Sequence, residues 1–409
     1  MRTLVLGRGG REHALAWSLA RGGAEVFAMP GSEGMEDLAQ PVAGDPSDPE
    51  AVLAAVRRLA IDLVVPGPEE PLVHGVGEVL RDAGHLVFGP DRQGAQIEAS
   101  KAYAKTLLRA AGIETAAASL CRDYGEVEQT LAVHPERTVV KADGLAAGKG
   151  VIVAEDAAGA RRAARRLLQE HGTVLLEERL RGPEVSLIAI CSGRDYALLP
   201  TARDHKRLLR GDAGPNTGGM GAICPVPITP DAAACAERTI APLLHLLAER
   251  GMPYQGALYA GLILTDRGPM VLEYNVRFGD PEAQVILPAL SDSVLPWLEG
   301  AARGQLPKEP LTADSAAVGV VLAAAGYPHA PQDGDPITGI EEARQDALVF
   351  HAGTRRGEGG FETAGGRVLC LVGRAQDLET ARSAAYRAVS RIRFAGAQWR
   401  DDIGIAAAR

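Results

Sequence analysis

The sequence predicts an α/β protein in three parts: a parallel-sheet domain over 1–100, a central domain over 101–304 with a smaller subdomain at about 115–180, and a small α+β domain over 316–409. Three observations predict it. Residues 1–90 alternate short apolar runs with segments of helical period, the pattern of a βαβ series. The middle of the chain replaces that alternation with β-branched runs flanking glycine-rich loops. The stretch QLPKEPLTADS, 305–315, has the proline and polar content of a linker, and a new mixture of strands and one helix follows it.

Taken in order, TLVLG reads as a strand, a helix starts at about Arg11, EVFAM is the second strand, and a helix lies near 50–60. IDLVV, a helix near 71–82 and LVFG complete a Rossmann-like parallel sheet. Ligands of such sheets bind beyond the carboxyl ends of the strands, where two loops lie: GRGGRE (7–12) and PGPEEP (66–71). A helix, SKAYAKTLLRAAG, opens the second part and stops at Gly112. A small strand–helix–strand unit runs from there to TVLLEERL (173–180). The β-rich segments EVSLIAI and YALLPTA lead to the loop GDAGPNTGGMGA (211–222). A helix near 231–250 precedes a hairpin, LYAGLILTDRGPMVLEYN, and the helix PEAQVILPAL leads out. In the last part VGVVLAA, LVFHAGT and GRVLCLV read as strands and DLETARSAAYRAVSRI as the helix.

Composition narrows the function. The formal charge of −9 comes without a local Lys/Arg run, which argues against nucleic-acid or membrane-surface partners. The Arg pairs at 161–162 and 165–166 read as the solvated face of a helix. No stretch is long and apolar enough to span a bilayer. The chain enters a strand directly with no signal-peptide pattern, and five scattered cysteines without C-x-x-C spacing fit a reducing compartment, so a cytoplasmic protein is expected. Only six of the 43 basic residues are Lys, and five of those six fall between 101 and 206. A chain that uses Arg elsewhere has kept Lys where a compact ammonium suits a phosphate. Asn occurs only at 216 and 275, each inside a glycine- or acid-rich motif.

Four motifs carry chemistry. VVKADGLAAGKGVIV (139–153) holds two lysines in a glycine loop between two strand-like runs. It lacks the spacing of a P-loop, which opens a helix, yet its freed N–H groups can cradle phosphate; a flexible solvent loop is the competing reading. GRGGREH follows a strand and opens a helix, a place where anions bind. Glu12 replaces the third glycine of a dinucleotide fingerprint and the second strand ends without a ribose-binding acid, which weakens an oxidoreductase reading. In VLEYNVRFGDPE (271–282), Glu273, Asn275 and Arg277 fall at alternate positions and share one face of a strand. Glu and Asn offer hard oxygen ligands suited to Mg2+, and an Arg two positions on can neutralise phosphate or carboxylate. GPNTGGMG is a further anion nest, and ARDHKR places Asp204 and Lys206 on one face with His205 turned away. His13 reads as structural. No convincing Ser–His–Asp or Cys–His set is present, so covalent side-chain catalysis is not favoured. Phosphate-binding lysines, a glycine lid, a Mg2+ pair and several anion nests together describe ATP-driven chemistry that would work by positioning and charge stabilisation.

Together GRGGREHALAW, GPEEPLV, SKAYAK, KADGLAAGKGV, DHKR with GDAGPNTGGMGA, and LYAGLI with VLEYNVRFGDPEAQ resemble the phosphoribosylamine–glycine ligases (glycinamide ribonucleotide synthetases), ATP-grasp enzymes of purine synthesis. The likeness continues through GYP, FHAGT and GGRVLC and covers nearly the whole chain. It implies an ATP-grasp domain with a lid, and the substrates ATP, glycine and 5-phosphoribosylamine. It implies that Lys105 and Lys141 meet nucleotide phosphates, that the 144–150 loop with Gly148, Lys149 and Gly150 is the lid loop, that the backbone of Glu177 and Leu180 faces adenine, and that Glu184 holds the ribose. Glu273 and Asn275 would ligate Mg2+ or Mn2+. By analogy with related sugar-phosphate enzymes, Gly9, Gly10, Arg11, Glu12 and Glu69 would face the ribose phosphate. Arg277, Lys206, Asn216 and Asp212, with the 215–221 loop, would serve glycine and an acyl phosphate. YAGLIL lacks the acid that many ATP-grasp enzymes carry there, so a second metal ligand is missing from that strand. A monomer is expected, with transient contact to the enzyme that supplies the amine. The rival readings are another ATP-grasp carboxylate–amine ligase, which would differ in 7–12, 66–71 and 211–222, and a nucleotide-binding protein without turnover.

Overall fold

Near-continuous apolar runs form strands buried on both faces, and the N-terminal sheet is built that way. The computed structural model describes residues 1–145 and 150–405. Strands β1 (Arg2–Gly7), β2 (Glu25–Pro30), β3 (Ala39–Pro41), β4 (Leu63–Pro66) and β5 (Leu86–Val87) lie in the order β3-β2-β1-β4-β5. All four pairings are parallel, and Leu4, Leu6, Leu63 and Val65 are fully buried. Helices α1 (Gly10–Arg21), α2 (Pro49–Leu59), α3 (Glu70–Val73) and α4 (Val76–Asp82) connect them. The helix expected near 71–82 is thus two helices. They divide at Gly75, whose φ of 88° suits glycine and interrupts a helix.

Helices α5 (Arg92–Ala99) and α6 (Lys101–Ala110) meet at Ser100. The Ser100 Oγ accepts the Tyr103 N–H at 3.1 Å and restarts the second helix. A small antiparallel sheet follows, of β6 (Ala118–Cys121), β7 (Val139–Ala142), β8 (Val151–Val153) and β9 (Val174–Glu177) in the order β6-β9-β7-β8. Helices α7 (Tyr124–Val133) and α8 (Ala157–His171) pack on it through Val127, Leu131, Ala164 and Leu167. The Arg-rich face of α8 points outward as expected, with Arg162, Arg165 and Arg166 exposed.

A second antiparallel sheet, β11-β10-β16-β17, is made of β10 (Glu184–Ser192), β11 (Asp195–Leu198), β16 (Gln255–Thr265) and β17 (Gly268–Asn275). Between its halves run β12 (Arg203–Asp204), β13 (Arg207–Leu209), β14 (Ala213–Asn216) and β15 (Gly221–Cys224). The helix expected near 231–250 is also two, α9 (Ala232–Thr239) and α10 (Ala241–Glu249). Pro242 falls in the first turn of α10, where a missing N–H is tolerated, and cannot continue the previous helix. Helices α11 (Glu282–Ala289) and α12 (Leu295–Arg303) lead to the last region.

That region contains β18 (Ala316–Ala323), α13 (Ile340–Arg344), β19 (Leu348–His351), the hairpin β20 (Thr354–Gly357) and β21 (Gly360–Thr363), β22 (Arg367–Ala375) and α14 (Leu378–Val389). Its main sheet has the order β12-β15-β18-β22-β19. Two of the five strands therefore come from before the linker, and β15 pairs directly with β18. One apolar core joins Leu15 and Leu19 of α1, Val285 and Ile286 of α11, Val321 of β18 and Val372 of β22. His13 sits in that junction as a structural residue. Its Nδ1 accepts the His351 N–H at 3.0 Å and the two rings stack 5.7 Å apart. All five cysteines are buried and free. No helix among the described residues is long and apolar enough to cross a membrane.

Candidate active site

The carboxyl ends of β1 and β4 put the 7–12 and 66–71 loops side by side. Glu12 curls back onto the start of its own helix, where its Oε2 accepts the Gly9 N–H at 2.6 Å. Its Oε1 takes the Arg11 Nε at 2.6 Å. A carboxylate from the chain itself thus sits at the helix N-terminus. Gly67 has to be glycine for this, because a Cβ there would stand 2.1 Å from the Glu12 Oε1. Arg11 also donates to the Phe278 carbonyl at 3.3 Å, tying the loop to the segment beyond β17. Glu69 pairs with the Arg277 Nε at 3.2 Å. Burial opposes its charge, but Arg277 and Arg11 hold the carboxyl below its ordinary value.

Strand β17 presents Glu273 opposite Gly261 and Asn275 opposite Tyr259, two residues apart and on one face, with Arg277 just past the strand end. The Glu273 carboxylate lies 3.6 Å from the Lys206 Nζ. Burial would raise its pKa; Lys206, Lys141, Lys101 and Arg277 together pull it below the usual value. Lys206 also stands 3.6 Å from Glu184. Burial disfavours its charge, yet Glu273, Tyr259, Glu184 and Asp204 hold it well above the normal lysine value. Arg277 is fixed by Glu69 and, through Nη2 at 2.8 Å, by Glu98. Glu98 is buried, accepts the Val276 N–H at 2.8 Å, and is pushed up to about 7 by burial despite the neighbouring Arg277.

Lys141 and Lys105 converge on one buried carboxylate. The Lys141 Nζ is 2.9 Å from the Glu177 Oε2 and donates to the Leu272 carbonyl at 2.9 Å. The Lys105 Nζ is 3.1 Å from the Glu177 Oε1 and donates to the Thr115 Oγ1 and the Ala116 carbonyl at 2.8 and 3.0 Å. The expected hinge residues Glu177 and Leu180 therefore lie at the end of β9 and just beyond it, with the Glu177 side chain serving the lysines. Between β7 and β8, Gly150 accepts the Ala142 N–H at 2.7 Å. Gly148 and Lys149 lie outside the described residues.

The 211–222 segment supplies the turn and second strand of the β13–β14 hairpin, runs into β15, and folds back on the Lys206 carbonyl. Asn216 pairs with Arg207 across it, and the Thr217 N–H and Oγ1 both donate to the Lys206 carbonyl, at 2.8 and 2.9 Å. Asp212 is not brought to Glu273. It is exposed and its carboxylate is 2.6 Å from the Arg400 Nη1 of the C-terminal region. Lys101, Glu98 and the carboxyl pair of Asp204 and Glu282 have places at this site that sequence reasoning left unassigned. Glu282 accepts the Ser186 Oγ and Tyr259 hydroxyl at 2.9 and 3.0 Å. Burial, then the nearby Glu282, pushes the Asp204 carboxyl well above its ordinary value. Lys101 donates to the Gly144 carbonyl at 2.9 Å; its position in the lysine-dense window was the one available signal.

The arrangement suits an anionic ligand whose charge is spread over several phosphate-sized groups. Among the described residues no group of three or more His, Cys, Asp or Glu side chains could hold a metal ion. Glu273 and Asn275 offer hard oxygen donors that would suit a divalent cation, and the charges of Lys206, Lys141, Lys101 and Arg277 favour the ionised carboxylate.

Comparison with known proteins agrees with this geometry. Three family profiles match in succession: the phosphoribosylglycinamide synthetase N domain over residues 1–98, its ATP-grasp (A) domain over 99–283 and its C domain over 317–406. The chain is 46% identical to the phosphoribosylamine–glycine ligase of Streptomyces coelicolor, with all of both chains covered. It is 44% identical to that of Ralstonia nicotianae, again with full coverage of both. The crystal structure of the Thermotoga maritima phosphoribosylamine–glycine ligase superposes with a TM-score of 0.88 at 36% identity, covering 98% of this chain and 100% of that one. The biotin carboxylase of Campylobacter jejuni shares the fold at 14% identity and a TM-score of 0.73, covering 97% of this chain and 92% of that one.

Proposed function

This chain belongs to the phosphoribosylglycinamide synthetase family, and on that premise we propose that it joins glycine to 5-phosphoribosylamine at the expense of ATP, giving glycinamide ribonucleotide, ADP and phosphate in purine (IMP) synthesis. The glycine carboxylate attacks the γ-phosphorus and ADP leaves. The sugar amine then attacks the carbonyl carbon of glycyl phosphate, phosphate leaves, and the amine gives up a proton. No side-chain nucleophile is required, so the protein's work is to bring the groups together and stabilise charge.

In this reading Lys105, Lys141 and Gly150, with the flanking Gly148 and Lys149, contact the nucleotide phosphates. The backbone of Glu177 and Leu180 receives adenine and Glu184 the ribose. Glu273 and Asn275 hold the divalent cation, Mg2+ or Mn2+, which when bound neutralises phosphate charge. Arg277, Lys206 and Asn216 stabilise the acyl phosphate, and Asp212 contributes through the shape of its loop. Gly9, Gly10, Arg11, Glu12 and Glu69 receive the sugar phosphate. The domains divide at about 100 and in the 305–315 linker, the 115–180 lid closes on the nucleotide, and the enzyme acts as a cytoplasmic monomer. Transient contact with the enzyme that makes the amine would shorten that substrate's time in water.

The observation that carries this reading is the Glu273 carboxylate, 3.6 Å from the Lys206 Nζ and held below its ordinary pKa by the charges of Lys206, Lys141, Lys101 and Arg277. ADP release with glycine, ribose 5-phosphate and ammonia, which form the amine in solution, tests it. Turnover requires every component. Equal ADP formation with bicarbonate or another amino acid in place of glycine would move the chain to a sister ligase.

A further inference from the structure

The loop that covers Lys206 is held from outside its own region. Gly218 lies at its crest. Its carbonyl accepts from Arg367 Nη1 and its N–H donates to the Tyr327 hydroxyl at 2.9 Å. Both side chains come from beyond the linker. The same guanidinium reaches the turn after Arg277: Nη1 donates to the Asp280 carbonyl at 2.8 Å and Nη2 lies 2.9 Å from the Asp280 Oδ2. Asp280 is in turn fixed by Gln284 Nε2 at 2.7 Å. One planar fork therefore joins the 211–222 loop to the turn that follows Arg277. Gly218 permits it, since a Cβ there would stand 3.1 Å from the Arg367 Cζ.

The grip is passed on to Lys206. Thr217 donates twice to the Lys206 carbonyl, its hydroxyl accepts the Gly219 N–H at 3.0 Å, and the Met220 N–H donates to the His205 carbonyl at 2.9 Å. The far end of the loop is held similarly. Arg400 donates to the Arg207 carbonyl at 3.2 Å and Asp402 accepts the Gly211 N–H at 2.9 Å. Asp212, paired with Arg400, belongs to this anchorage.

We propose that Arg367 is a positioning residue for the ligase reaction: by gripping the Gly218 carbonyl and Asp280 together, it sets the 211–222 loop, and Lys206 beneath it, against the Glu273–Arg277 strand. The C-terminal region thus acts on the reaction without touching the reacting atoms. This rests on the assignment of Lys206 and Arg277 to the acyl phosphate. Lysine cannot replace Arg367 fully, because a single ammonium lacks the fork that reaches two segments at once.

The test pairs kinetics with hydrogen exchange on the full-length chain. In Arg367→Met, amides of residues 214–222 should exchange about tenfold faster than in the unaltered protein. Turnover should fall about 10- to 100-fold, the loss expected for a displacement near 1 Å, with KM for ATP within about twofold. Arg367→Lys should recover only part of both effects, and Asp280→Asn should add little to Arg367→Met. If Arg367→Met does not fold, Tyr327→Phe removes one hydroxyl and should speed exchange at Gly218 alone. Unchanged loop exchange in Arg367→Met overturns the proposal; lost turnover with unchanged exchange would make Arg367 a substrate contact instead. Exchange needs no substrate, so an unaltered protein that fails to couple ADP release to glycine would overturn the assigned reaction and leave the exchange result standing.

Discussion

Replacing Lys141 with Met or Arg separates its structural work from its work on phosphate. Lys141 is 5% exposed, and its ammonium makes two contacts at 2.9 Å, one to the Glu177 carboxylate and one to the Leu272 carbonyl. Breaking a buried ion pair costs about 3–5 kcal/mol when it leaves a charge alone. Glu177 keeps Lys105 at 3.1 Å, so Lys141→Met should cost less, about 2 kcal/mol by the worth of one charge-assisted hydrogen bond. Lys141→Arg keeps the charge and should lose about 1 kcal/mol, from forcing a wider group into a packed site. Activity should suffer more. Loss of a preorganised donor to a transferring phosphoryl group costs about 3 kcal/mol, or roughly 150-fold in rate. Chemical unfolding gives the first quantity and steady-state ADP release the second. If the contact tightens only as charge develops, the loss falls on turnover; if it is uniform, it falls on ATP affinity. A Lys141→Arg protein with unaltered turnover and ATP affinity would refute the phosphate role.

Glu273→Gln should nearly abolish turnover and leave the fold intact, because a hard cation loses its charged ligand; unaltered activity of that variant at low Mg2+ would remove Glu273 from the cation site. Gly67→Ala should raise KM for the amine with little effect on ATP, since a Cβ 2.1 Å from the Glu12 Oε1 must displace that carboxylate from the 7–12 loop; equal KM values would detach Glu12 from the sugar site. Acid should loosen the junction of the first and last regions. Burial, then the charges of His351 and Arg344, pushes His13 down to about 3, and burial and Arg344 push His351 down to about 4. Both rings are neutral when folded and take up protons near the usual 6.5 once unfolded, so their stabilisation is complete above that value and is lost as pH falls from there to about 4 for His351 and about 3 for His13, by roughly 2 kcal/mol per ring at pH 5. The slope of Tm with pH between 7 and 5 should flatten in His351→Gln, and an unchanged slope would exclude the pair as its source.

The parallel sheet and the β16–β17 hairpin were legible because their signals are local. Glu273, Asn275 and Arg277 announce a shared face by spacing alone, and the loop after Lys141 joins two strands as its flanking β-branched residues imply. The misses are matters of partnership. Nothing local to Glu98 says that it meets Arg277, 179 positions on by their numbering. The linker at 305–315 marks a change of composition, yet β15 and β18 pair across it, since hydrogen bonding between strands ignores sequence distance. Helix breaks at Gly75 and Pro242 carried their own signals, overridden by the apolar period around them. Asp212 was expected near glycine only through the resemblance; nothing local to it announces its partner Arg400, 188 positions on.

In the proposed reaction glycine's own carboxylate takes the phosphoryl group before the amine attacks. Turnover with glycine labelled by 18O in both carboxylate oxygens tests it directly, by mass spectrometry of the phosphate released. One labelled oxygen should appear in each phosphate, and its partner should remain in the amide of glycinamide ribonucleotide. Unlabelled phosphate, or label recovered in AMP with pyrophosphate as the co-product, would contradict it.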